Sequence, residues 1–93
     1  MGKNVYGIPL VMRYVPVSVE FDSTGSMKPT EIGWQDGRRF RIDKVLDVTK
    51  AGDTGPGVER RKYRVIVRGE EKNLFFEVEK KSAWPYGRWF VEV

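Results

Sequence analysis

Apolar and polar residues alternate with a period of two along most of this chain, and no stretch sustains helical periodicity. The first clear strand is Arg13 to Asp22, with Val15, Val17, Val19 and Phe21 on one face. Tyr14, Pro16, Ser18 and Glu20 lie on the other, and Pro16 places the strand at an edge because it cannot donate a ladder hydrogen bond. Ser23-Thr24-Gly25-Ser26 follows as a turn signal. Asp22 with Ser23 and Ser26 is rich in oxygen, but the spacing is not that of a calcium loop and reads as a plain turn.

Thr30 to Trp34 and Arg38 to Val48 make the next pair of strands. A two-residue Asp36-Gly37 turn would oppose Trp34 to Arg39 and mix core with solvent. A three-residue loop, Gln35-Asp36-Gly37 with Gly37 left-handed, sets Ile32 against Phe40, Thr30 against Ile42 and Glu31 against Arg41. Residues 49–59 lack apolar periodicity, hold four Gly or Pro residues, and read as a long loop.

Arg60 to Arg68 and Asn73 to Glu79 read as a second hairpin around Gly69-Glu70-Glu71-Lys72. That loop faces Val67 to Leu74, Val65 to Phe76 and Tyr63 to Val78, and pairs Arg64 with Glu77, Lys62 with Glu79 and Ile66 with Phe75 outside. Residues 80–87 form a loop, and Arg88 to Val93 closes the chain as a strand. Trp89, Val91 and Val93 share one face of it, Phe90 and Glu92 the other.

Five or six short antiparallel strands in 93 residues predict one all-β domain. A small barrel or strongly bent sheet, SH3-like or a similar roll, is the economical form. It occupies residues 13–93, with residues 1–12 a tail or a short extra strand.

Composition narrows the chemistry. There is no histidine and no cysteine, which removes the commonest general base, thiolate metal sites and disulfides, and suits a cytoplasmic setting. The serines lie in no nucleophile motif, the carboxylates are scattered, and Gly52, Gly55 and Gly57 precede no helix that could cradle a phosphate. The expectation is a non-enzymatic protein with no cofactor and no metal. No apolar run approaches the roughly 20 residues of a membrane span.

The net charge of +4 is concentrated in the middle third, where residues 38–68 hold 10 basic and 4 acidic side chains. On strands taken as neighbours, Arg39, Arg41, Arg60, Arg61, Arg64 and Arg68 would form one basic wall. Trp84 and Tyr86, held around Pro85, would offer stacking rings beside it or plug an end of the barrel. Phosphate contacts by these residues predict nucleic-acid binding, or assistance to a nucleic-acid-processing protein. Cross-strand carboxylates at Glu31, Glu77 and Glu79 are also what an ordinary solvated face carries. The alternative is a protein-interaction module or homodimer using an exposed sheet edge or an Ile66/Phe75/Phe90 patch.

Several short segments carry a resemblance: Pro16-Val17-Ser18-Val19, Gly37-Arg38-Arg39-Phe40-Arg41-Ile42, Lys44-Val45-Leu46-Asp47, Arg61-Lys62-Tyr63-Arg64-Val65 and Gly87-Arg88-Trp89-Phe90-Val91-Glu92. Over residues 14–93 their order resembles a family of small uncharacterised bacterial all-β proteins, some associated with loci for error-prone DNA polymerases. The resemblance implies a small β-barrel and favours a role in DNA repair, and it assigns no role to any residue.

Overall fold

A computed structural model describes residues 11–53, 57–79 and 87–93. Those residues are all-β, with eight strands and no helix among them: β1 (Met12–Val15), β2 (Val17–Phe21), β3 (Met27–Gly33), β4 (Arg39–Arg41), β5 (Lys44–Asp53), β6 (Val58–Val67), β7 (Glu70–Glu79) and β8 (Gly87–Glu92). They form two antiparallel sheets, one ordered β1-β8-β7-β6-β5 and a smaller one ordered β2-β3-β4. Hydrogen bonding among the described residues does not close the two into a barrel.

The expected single strand across residues 13–22 is broken at Pro16. Before it, Val15 pairs with Trp89 in the large sheet; after it, Val17 pairs with Ile32 in the small one. Gly33 makes the corner possible: its N–H donates to the Pro16 carbonyl at 2.8 Å, and a Cβ there would meet the proline ring at 2.8 Å. A second crossing lies at residues 42–43, where Ile42 N–H donates to Thr30 in the small sheet and Asp43 N–H to Ile66 in the large one. The expected strand Arg38 to Val48 is therefore two strands in different sheets.

The β3–β4 hairpin matches its expectation. Gly37 has φ +87°, Ile32 opposes Phe40, and Glu31 opposes Arg41. Two other expectations are corrected. Residues 49–53 are not loop: β5 continues to Asp53, with an irregularity between Lys50 and Asp53 where Gly52 takes φ +92°. The β6–β7 hairpin turns on two residues, Arg68 and Gly69, both left-handed at φ 54° and 79°, rather than on four. Tyr63 thus opposes Leu74, Arg64 opposes Asn73, and Glu77 opposes Arg60. The tighter turn adds ladder pairs Val67–Glu70 and Ile66–Glu71, while the shift is even, so every side chain keeps its expected face.

Between the sheets lies the core: Val15, Ile32, Ile42, Tyr63, Val65, Val67, Leu74 and Trp89 are buried together. Trp89 packs its ring against Tyr63 and Phe76, at centroid distances of 5.1 and 4.5 Å. Alternation sends Arg60, Lys62, Arg64, Phe75, Glu77, Arg88 and Phe90 to the outer face of the large sheet.

Candidate functional site

The outer face carries a second buried centre, made of charged and aromatic side chains. Register places Arg60 against Glu77, Glu77 against Arg88, Phe75 against Phe90, and Tyr14 against Phe90. Phe75 and Phe90 stack with centroids 4.9 Å apart, and Tyr14 meets Phe90 edge-on at 5.9 Å. Phe90 is 2% exposed although it lies outside the core cluster between the sheets. This aromatic floor supplies the low-dielectric surroundings in which Glu77 is buried.

Glu77 accepts three hydrogen bonds: from Arg60 Nε at 2.9 Å, Arg88 Nη2 at 2.8 Å and the Tyr14 hydroxyl at 3.2 Å. Burial alone would raise its pKa, but the bonds from Arg60, Arg88 and Tyr14 outweigh it and hold the carboxyl below its ordinary value. Tyr14 shifts the other way, raised by burial and by the charge and hydrogen bond of Glu77. Near neutral pH the cluster therefore contains ionised Glu77, neutral Tyr14 and two guanidiniums. The guanidiniums are also braced by rings, Arg60 at 5.2 Å from the Phe90 centroid and Arg88 at 4.3 Å from that of Tyr14. Lys62 leaves the same face, opposite Phe75, and Glu79 lines a small cavity of about 50 Å³ beside Glu77 and Arg88. Arg60, Lys62 and Arg88 share this face with Glu77, Glu79 and, further along β8, Glu92, so the patch is densely charged and its cations are concentrated around Glu77. A carboxylate saturated by three donors is a poor proton acceptor, so the arrangement suits holding charge in place rather than moving protons.

Of the expected arginine wall, only Arg60 belongs to this cluster. Arg64 shares the outer face, but Asp47 accepts from its Nε at 2.9 Å, Glu71 approaches at 3.6 Å, and these carboxylates raise its pKa. Arg61 has the opposite parity and pairs with Glu59 at 3.4 Å. Arg39 and Arg41 leave the small sheet, where Arg39 engages Glu31 and the Ser18 hydroxyl. Arg68 is exposed in the β6–β7 turn. The six do not share a wall, because β4 and β6 belong to different sheets. Trp84 and Tyr86 lie outside the described residues.

The expected exposed patch Ile66/Phe75/Phe90 is also absent: Phe90 is covered, and Ile66 opposes Glu71 rather than Phe75. Sequence reasoning missed Glu77, Arg88 and Tyr14 as a unit. The available signal was the outward parity of Arg88 and Phe90 in β8, and it needed the β7–β8 and β1–β8 registers to become a site.

A groove of about 820 Å³ opens between the sheets, with Ile32, Trp34, Phe40, Val67, Leu74 and Val91 in its wall. Arg38, Arg68 and Lys72 on its rim are matched by Glu70, Glu71 and Glu92, so it favours neither sign of ligand. Trp34, expected in the core, is half-buried here. The Asp22 loop is a turn: its carboxylate accepts from the Thr24 and Ser26 N–H groups at 2.9 and 3.0 Å and from the Thr24 hydroxyl at 2.6 Å. Among the described residues no group of three or more acidic, histidine or cysteine side chains is placed to hold a metal ion, and no helix is long and apolar enough to cross a membrane. No known protein family, curated protein or solved structure matches this chain.

Proposed function

We propose that this protein is a non-enzymatic, cytoplasmic binding module, a small β-roll that contacts nucleic-acid phosphates through the outer face of its large sheet. Arg60, Arg88 and Lys62 supply the phosphate contacts, and the exposed ring of Tyr14 supplies a stacking surface. The other candidate arginines lie away from this cluster and act through the overall positive field: Arg39 and Arg41 leave the small sheet, Arg61 has inward parity, and Arg64 is held toward Asp47 and Glu71. The observation that carries this reading is the pair of guanidiniums fixed on one buried carboxylate. A guanidinium already ordered by Glu77 and an aromatic face loses little freedom when a phosphate arrives. The resemblance to proteins near error-prone polymerase loci points to the same class of partner.

Titration of the isotopically labelled protein with a short single-stranded oligonucleotide, followed by amide chemical shifts, tests the surface. Shifts should concentrate on β1, β6, β7 and β8. Shifts confined to the small sheet around Arg39 and Arg41, or none at all, overturn the proposal.

A further inference from the structure

The small sheet ends on β2, whose outer edge pairs with no strand among the described residues. Three contacts orient its backbone. The Pro16 carbonyl accepts from Gly33 N–H, the Ser18 carbonyl from the Thr30 hydroxyl at 3.1 Å, and Asp22 N–H donates to Ser26 at 3.1 Å. The even-numbered residues thus turn their polar groups toward β3 and its turn. By alternation, Val17, Val19 and Phe21 direct N–H and C=O out of the open edge.

Side chains tell a matching story. Val17, Val19 and Phe21 lie on one face of β2, opposite Ile32, Pro29 and Met27 of β3; the register shifts between Ser18 and Val19, with the extra residue, Thr30, on β3, so the alternation of β2 continues through it. Val17 packs against the core, but Val19 and Phe21 run past it and are 38% and 64% exposed. The other sheet edges are shorter or more charged: β5 carries Lys44, Asp47 and Lys50, β4 is three residues long with Arg39 and Arg41 on it, and β1 is four residues long with Arg13 on it. On β2, Glu20 is the sole charge.

We propose that β2 pairs with β2 of a second copy of this chain, antiparallel about a two-fold axis at Val19. Val19 then faces Val19 of the second copy, Val17 faces its Phe21, and Ser18 faces its Glu20. The three outward-directed residues meet their counterparts in hydrogen-bonded positions, where each facing pair exchanges two N–H···O=C bonds. No like charges oppose each other, and each exposed phenylalanine lands beside the half-buried Val17 of the other copy. The strand is self-complementary, as an isologous contact requires. The two small sheets become one continuous sheet, β4-β3-β2 joined to its own image.

Sedimentation equilibrium over a wide range of concentration, on the full chain and without nucleic acid, should show a reversible monomer–dimer equilibrium. Val19→Lys sets two ammonium groups face to face and should raise the dissociation constant about a hundredfold or more, with the circular dichroism spectrum unchanged. A second variant guards against misfolding. The chain has no cysteine, so Val19→Cys should oxidise to a covalent dimer, because facing Cα atoms in such a pair lie about 5.5 Å apart, within disulfide reach. Glu20→Cys, which faces Ser18, should not. A strictly monomeric protein, a dimer indifferent to Val19→Lys, or equal crosslinking of both cysteine variants overturns the proposal.

Discussion

Replacing Glu77 with glutamine keeps the shape of the outer-face cluster and removes its negative charge. In the native protein the carboxylate side chain is 10% exposed and its partner Arg60 26%, so that bond lies mostly out of water. A hydrogen bond of this charged kind contributes about 1.5–3 kcal/mol. Arg88 is 58% exposed, and its pairing adds at most about 1 kcal/mol. The glutamine amide oxygen still accepts one bond, returning about 1 kcal/mol, so the net loss is about 2 kcal/mol. For a chain of 93 residues that corresponds to a fall in Tm of about 8–16 °C. Urea unfolding followed by tryptophan fluorescence measures it as a lower midpoint at unchanged slope.

The same variant has a pH signature. Glu77 has a folded pKa below its unfolded value, near 4.5. Its contribution is therefore complete above that value and lost as pH falls through the folded value. Glutamine has no proton to gain, so the stability gap between the two proteins should be widest near neutrality and close in acid. A gap under about 0.5 kcal/mol at neutral pH, or one that stays constant into acid, refutes the reading of Glu77 as a buried ionised centre.

Gly87→Ala drives a Cβ into the Phe76 ring and should push that ring off Trp89, at a cost of about 1–3 kcal/mol and with a changed near-ultraviolet dichroism spectrum. Gly69→Ala forces an L side chain into φ +79° and should lower stability by about 1–2 kcal/mol. Arg68→Asn should raise the unfolding midpoint, because asparagine tolerates the left-handed conformation better. If the hairpin turned on four residues instead, that pair of opposite effects would not be seen.

Parity was legible in the sequence, and register was not. The alternation in residues 60–68 and 73–79 sorts Tyr63, Val65 and Leu74 inward and Lys62, Arg64 and Glu77 outward, as found. Choosing partners by cross-strand charge led to the wrong loop, because an exposed ion pair contributes at most about 1 kcal/mol. A two-residue turn with extra ladder bonds outweighs that. The β3–β4 hairpin was legible because Gly37 admits one loop length that keeps Ile32 and Phe40 together. In the sequence Pro16 marks only an edge, whereas in the fold it hands the chain from one sheet to the other, a corner that depends on distant Gly33. The arginine wall failed for the same kind of reason: neighbouring segments in sequence went to different sheets. The Glu77 cluster needed Tyr14 to reach a residue 63 positions away across β8, a closure no local pattern encodes.

The most direct test of the account is the salt dependence of oligonucleotide binding, read by fluorescence anisotropy, in proteins altered one cation at a time. Affinity should fall steeply with salt, and Arg88→Gln and Lys62→Gln should each flatten the log–log slope by about one. Arg39→Gln, on the small sheet, and Arg61→Gln, on the inward parity of β6, lie off the binding face and should leave the slope as it is. Absent or salt-independent binding, or a slope that responds to Arg39 and not to Arg88, would contradict the outer face of the large sheet as the binding surface.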